Sequence, residues 1–192
     1  MFRERIFREP ATLILAIITF SLAACSAGNE STSNSTDVAS PSSSQVADSS
    51  AIAIPGVKNL EEITFKPAPK NSINGSFDGT TTSSETTIKV PKTTPVTLRG
   101  WAILADAGRP ADFVIITRAD NNSLVAVSPV NLEREDVVNN LKNPAYKNSG
   151  WNATFNPSTL GADKVVLKAW AYNSQTKEAI QLNRTHELHM AS

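Results

Sequence analysis

A single cysteine, Cys25, stands in 192 residues, which excludes an intramolecular disulfide framework and any zinc centre built on several thiolates. Histidine is almost as scarce, with two in the chain. Charge of one sign is lacking too. The 18 basic residues balance 18 acidic ones, so no bulk positive field exists to draw nucleic acid. The chain contains no G-x-S-x-G nucleophile elbow, no G-x-G-x-x-G, no Walker loop and no EF-hand loop. Long apolar runs are missing apart from one, ATLILAIITFSLAA at 11–24. That run falls short of the roughly 20 residues a membrane-spanning helix needs. From these absences we expect no catalytic residues, no metal and no cofactor.

What is present begins with the setting of that apolar run. Arg3, Arg5 and Arg8 precede it, and a basic head before a short apolar core is the layout of a secretory signal. Its end, Leu22-Ala23-Ala24-Cys25, resembles the lipobox of bacterial lipoproteins. The resemblance implies cleavage before Cys25, a diacylglyceryl group on its thiol and acylation of the freed amine. Two or more acyl chains hold a protein to a bilayer where one does not. The alternative is an ordinary signal peptide that leaves a free thiol. Ser26, where an aspartate commonly retains such lipoproteins in the inner membrane, favours the outer membrane if the organism has two.

Residues 25–50 form a tether. Ten of the 25 residues from Ser26 to Ser50 are serine, and none is aromatic, Leu or Ile, a composition too poor in apolar surface to offset the entropy of ordering. As a coil it would span roughly 25–30 Å. Residues 51–70 form a connector broken by Pro55, Pro67 and Pro69, apolar enough to lay one strand or a short helix on the domain.

Residues 71–192 read as that domain. Asn74-Gly75 and Asp78-Gly79 have the chemistry of tight turns. The stretch from Pro95 to Leu104 alternates, with Val96, Leu98, Gly100, Ala102 and Leu104 on one face. Strand patterns recur in TTIKV, DFVIITRAD, SLVAVSPVNL, SGWNATF, KVVLKAWAYN and EAIQLNRTHELHM, with turn residues about every ten positions. The expected fold is all-β, an antiparallel sandwich. LEREDVVNNLKNP departs from it, since Leu132, Val137, Val138 and Leu141 take helical spacing, with Asp136 as the expected cap. GWAIL, Arg134-Glu135-Asp136-Val137, Pro144 and Ser149-Gly150-Trp151 resemble small Ig-like modules of bacterial envelope proteins. That resemblance implies an Ig-like sandwich with an accessory, non-catalytic role.

Candidate site residues are few. His186-Glu187-Leu188-His189 lacks the spacing of the metalloprotease motif, and on a strand its two rings point to opposite faces. Glu133, Glu135 and Asp136 beside Arg134 read as a capping and salt-bridge group. Trp170 and Tyr172 share a face of their strand with Lys168, and two readings compete there. They are core, or, with Trp101, they form an exposed platform on which a sugar stacks. The expected partners are the membrane, through acyl chains on Cys25, and an envelope protein or surface glycan. An envelope enzyme is the remaining alternative.

Overall fold

The computed structural model describes residues 53–191, so the signal segment, Cys25 and the serine-rich tether lie outside the described residues. In chain order the strands are β1 (Thr64–Lys66), β2 (Gly75–Thr80), β3 (Thr87–Pro91), β4 (Val96–Leu104), β5 (Arg109–Pro110), β6 (Phe113–Arg118) and β7 (Leu124–Pro129). After the helix α1 (Glu135–Leu141) come β8 (Gly150–Phe155), β9 (Lys164–Asn173), β10 (Glu178–Gln181) and β11 (His186–Ala191). They make two sheets packed as a sandwich.

The first sheet is organised by β9, whose ten residues, KVVLKAWAYN, place alternate side chains on opposite faces as a long central strand requires. Along one edge it pairs with β6, and β7 lies outside β6. Along the other edge β10 takes the C-terminal half of β9 and β11 the N-terminal half, both antiparallel. β1 then adds to β10, and β3 to β11, in parallel. These two parallel edges depart from the wholly antiparallel arrangement expected. They arise because β1 and β3 reach the sheet from remote parts of the chain, without a hairpin to dictate direction. In the second sheet β4 is central, with β2 on one side, β8 on the other and the short β5 at its end.

The inward faces obey the alternation. Val96, Leu98, Ala102 and Leu104 of β4 meet Val114 and Ile116 of β6 and Leu167, Ala169 and Ala171 of β9 in one core, with Phe77 and Trp151 at its centre. The expected turns at Asn74-Gly75 and Asp78-Gly79 are not turns, because both glycines lie inside β2. Gly75 has φ +143°, and a Cβ there would sit 2.3 Å from the Trp101 carbonyl. The register with β4 shifts between Phe77 and Gly79, so the second pair marks a bulge. The helix is nearly as expected, but Arg134 occupies its N-cap position and Asp136 lies in its first turn.

Both outward faces carry a cover. On the first sheet, residues 54–65 lie across Ile115, Trp170, Tyr172 and Ala179, burying Ile54 and Ile63 in a second apolar cluster. This strap includes a 3-10 turn (Leu60–Glu62) as well as β1. Lys177 bonds Glu62 at 2.6 Å, and Lys66 pairs with Glu178. On the second sheet, Val137 of α1 and Tyr146 pack on Ile103, with Trp101 and Leu141 at the margin. Among the described residues, the packed body therefore reaches back past residue 71 to Ile54.

Candidate functional site

The alternation of β4 that sends Leu98 and Ala102 inward sends Thr97, Arg99, Trp101 and Ile103 outward. On neighbouring β8 the outward residues are Asn152 and Thr154. Arg99 stands directly opposite Asn152, and Thr97 opposite Thr154, with their hydroxyls 2.8 Å apart. The cover supplied by α1 and Tyr146 reaches Trp101 and stops. Beyond it, the outer face of the second sheet lies open.

One arginine defines that opening. Leu132 bridges to Gly150 through hydrogen bonds of 2.8 and 2.9 Å, placing Arg134 beside β8. Its guanidinium grips Asp136 through Nε and Nη2, both at 2.7 Å, and reaches Asp78 of β2 with Nη1 at 3.1 Å. The ion pair thus links segments on either side of β4. A Cβ on Gly150 would lie 2.9 Å from Arg134 Cγ, so glycine is what lets the arginine stem lie this low. The Asp136 carboxylate, followed by the charge of Asp78, raises the Arg134 pKa above its ordinary value, and the same contact holds the Asp136 carboxyl below the usual range. A guanidinium fixed at three points is a rigid wall.

Between this wall and the Arg99–Asn152 row lies an open groove of about 340 Å³, bounded also by Leu132 and Glu133 and floored by Gly100 and Gly150. Lys147 lies 3.3 Å from Glu133, and that carboxylate, ahead of Glu135, raises the lysine pKa. Among the described residues neither the Arg99 guanidinium nor the Asn152 amide has a hydrogen-bond partner, although both are exposed at the groove.

The structure separates the residues expected to form a sugar platform. Trp170 is 6% exposed and Tyr172 1%, so the platform reading of that pair is corrected. The sequence pattern does place both on the face away from the main core, but the strap closes over them. Phe65 packs edge-on against Trp170 at 4.9 Å, and Trp170 Nε1 donates to Thr117 Oγ1 at 2.9 Å. Burial raises the Tyr172 hydroxyl pKa. Trp101 is half-buried on the opposite side of the sandwich and cannot act with them. Cys25 lies outside the described residues.

The other ionisable groups singled out are held in structural contacts. His186 is fully buried, with Nδ1 2.7 Å from the Glu85 carbonyl and Nε2 2.8 Å from that of Phe77, while His189 points outward to Glu187. Burial would raise the Asp112 carboxyl, but Arg109 at 2.6 Å and the Ser174 N–H and hydroxyl, each at 2.8 Å, hold it below the usual carboxylate range. Among the described residues no three His, Cys, Asp or Glu side chains gather in a metal-ligating group, and no helix is long and apolar enough to cross a membrane.

Compared with protein-family models, curated proteins and solved structures, the chain matches none. The sequence does not mark the groove, because Asp78, Arg99, Arg134 and Asn152 are scattered over 75 positions and share no motif. One local signal exists. Arg99 interrupts an otherwise apolar, hydroxyl and aromatic strand.

Proposed function

We propose that the protein is a lipid-anchored extracytoplasmic lipoprotein whose β-sandwich binds or scaffolds a partner without chemistry of its own. The observation that carries the anchor is the placement of the chain's lone cysteine at the end of Leu22-Ala23-Ala24-Cys25, behind a basic head and one short apolar run. Acyl chains on Cys25 hold the protein at the membrane, the outer one in a two-membraned cell. The serine-rich segment from Ser26 to Ser50 spaces the body from the lipid.

Support for a binding role comes from the placement of the polar groups. Asp112, Asp136, Glu62 and His186 are engaged in contacts that tie segments of the fold together, whereas Arg99 and Asn152 face an open groove. The strap that joins the body to the preceding chain covers the first sheet, and the groove opens on the second. Confinement near a membrane raises the effective concentration of such a module toward an envelope protein or surface glycan.

The test is mass spectrometry of the N-terminal peptide from membrane-fractionated protein, with Cys25→Ala as comparison. A diacyl or triacyl mass on Cys25, and release of the variant from membranes, is the expected result. An unmodified soluble wild-type chain would overturn the anchor.

A further inference from the structure

We propose that the groove between Arg134 and the Arg99–Asn152 row binds an acidic saccharide, a sugar unit that combines hydroxyls with one carboxylate. This deepens the binding-module reading by naming a ligand class, and it does not depend on how the chain is anchored.

The charges come first. Arg134 is neutralised by the Asp136 carboxylate and held against Asp78, and Glu133 lies within 3.3 Å of Lys147. Arg99 remains as the cation at the groove with no ion-pair partner among the described residues. A guanidinium presents two parallel N–H groups that match a carboxylate. One such cation calls for one anionic group. Because Arg134 is shared between Asp78 and Asp136, the rim is not basic overall, which sets this groove apart from the positive surface a polyanion such as nucleic acid needs.

Hydroxyl recognition rests on the polar atoms still unspent. Asp78 engages Arg134 through Oδ2, leaving Oδ1 to accept from a ligand hydroxyl. The Asn152 amide offers donors and an acceptor directly across from Arg99. A volume of about 340 Å³ far exceeds a lone carboxylate and matches the lower range of small-molecule sites. Leu132, 42% exposed, supplies apolar surface against which the C–H face of a sugar ring can lie. Pinned by three hydrogen bonds, Arg134 makes the wall rigid before any ligand arrives, which lowers the ordering cost of binding.

The probe is methyl β-D-glucuronide, titrated calorimetrically into the full chain in detergent, with methyl β-D-glucoside and acetate as comparisons. The expected result is saturable binding of the glucuronide, at least tenfold weaker binding of the glucoside, and no saturation by acetate. Arg99→Ala should weaken the glucuronide at least tenfold, and Arg99→Lys should fail to restore it, because an ammonium cannot reproduce the paired donors. Arg99 is exposed and outside the core, so both variants keep the fold, checked by an unchanged urea midpoint. Wild-type protein that takes no glucuronide overturns the proposal. So does Arg99→Ala that binds as tightly as wild type, or acetate that competes on equal terms. None of these failures touches the lipid anchor, which is read by membrane fractionation.

Discussion

Asp112 ties the connection between β5 and β6 to the turn after β9. Its carboxylate receives Arg109 of β5 and both donors of Ser174, which follows the C-terminal end of β9. A group whose folded pKa is lowered adds stability above its unfolded value near 3.9, and that stability is lost as pH falls through the folded value. Asp112→Asn should therefore cost about 1.5–3 kcal/mol at pH 7, the range for hydrogen bonds to a charged group. The gap between variant and wild type should close progressively as pH falls below about 4. Urea midpoints at pH 7, 4 and 3 measure it. A gap that stays constant would mean the charge contributes nothing. At this scale sequence and structure agree where one residue's neighbours are local, and part where they are remote. The opposite facing of His186 and His189 follows from strand alternation alone. The burial of Trp170 and Tyr172 does not, because Phe65 and Ile63 lie more than a hundred residues earlier.

Among the elements, β4 is the easiest to read and proves the most constrained. Its strict alternation identifies both faces in the sequence, and the structure places Leu98 fully inside and Arg99 outside as that pattern requires. What alternation cannot convey is why Gly100 stands at an inward position. A Cβ there would lie 2.2 Å from the Ser76 carbonyl and 2.6 Å from Trp151 Cζ2, so β2 and the indole both occupy the space a side chain would need. Gly100→Ala should lower stability by about 1–3 kcal/mol, the usual cost of overpacking a filled core. Urea unfolding followed by circular dichroism should show a reduced midpoint with the slope unchanged. A midpoint matching wild type would contradict the packing described. The misread turns in β2 have the same origin. A glycine in a sheet can serve close approach as readily as chain reversal, and only the partner strand tells which. The final pattern, EAIQLNRTHELHM, also divides. Leu182 still donates its N–H to the Ala169 carbonyl of β9, but at Asn183 the chain turns away between β10 and β11, and the Asn183 backbone bonds across to β2.

At the scale of the molecule, the described body is four layers: strap, first sheet, second sheet, and the cover formed by α1 and Tyr146. Composition made the middle two legible. The outer two were not, because each depends on a segment finding a sheet face that the sequence marks only by an unexpected aromatic or apolar residue. The strap shows the consequence most clearly. Full burial of an Ile side chain stabilises by about 1.5–3 kcal/mol, so Ile54 and Ile63 together contribute a sizeable share of the roughly 5–15 kcal/mol typical of a domain. A chain beginning at residue 71, where the strand pattern starts, should leave Trp170 and Tyr172 facing water. Its tryptophan emission should shift to the red, it should bind a hydrophobic dye, and its urea midpoint should fall well below that of a chain beginning at residue 53. The longer chain should unfold in one transition, because the strap packs directly on β9 and β10, the same strands that carry the main core. If the two chains instead share one emission maximum and one midpoint, the strap is a passive passenger. In that case the aromatic face of the first sheet is stable without cover, and the packing of Phe65 on Trp170 contributes nothing to the fold.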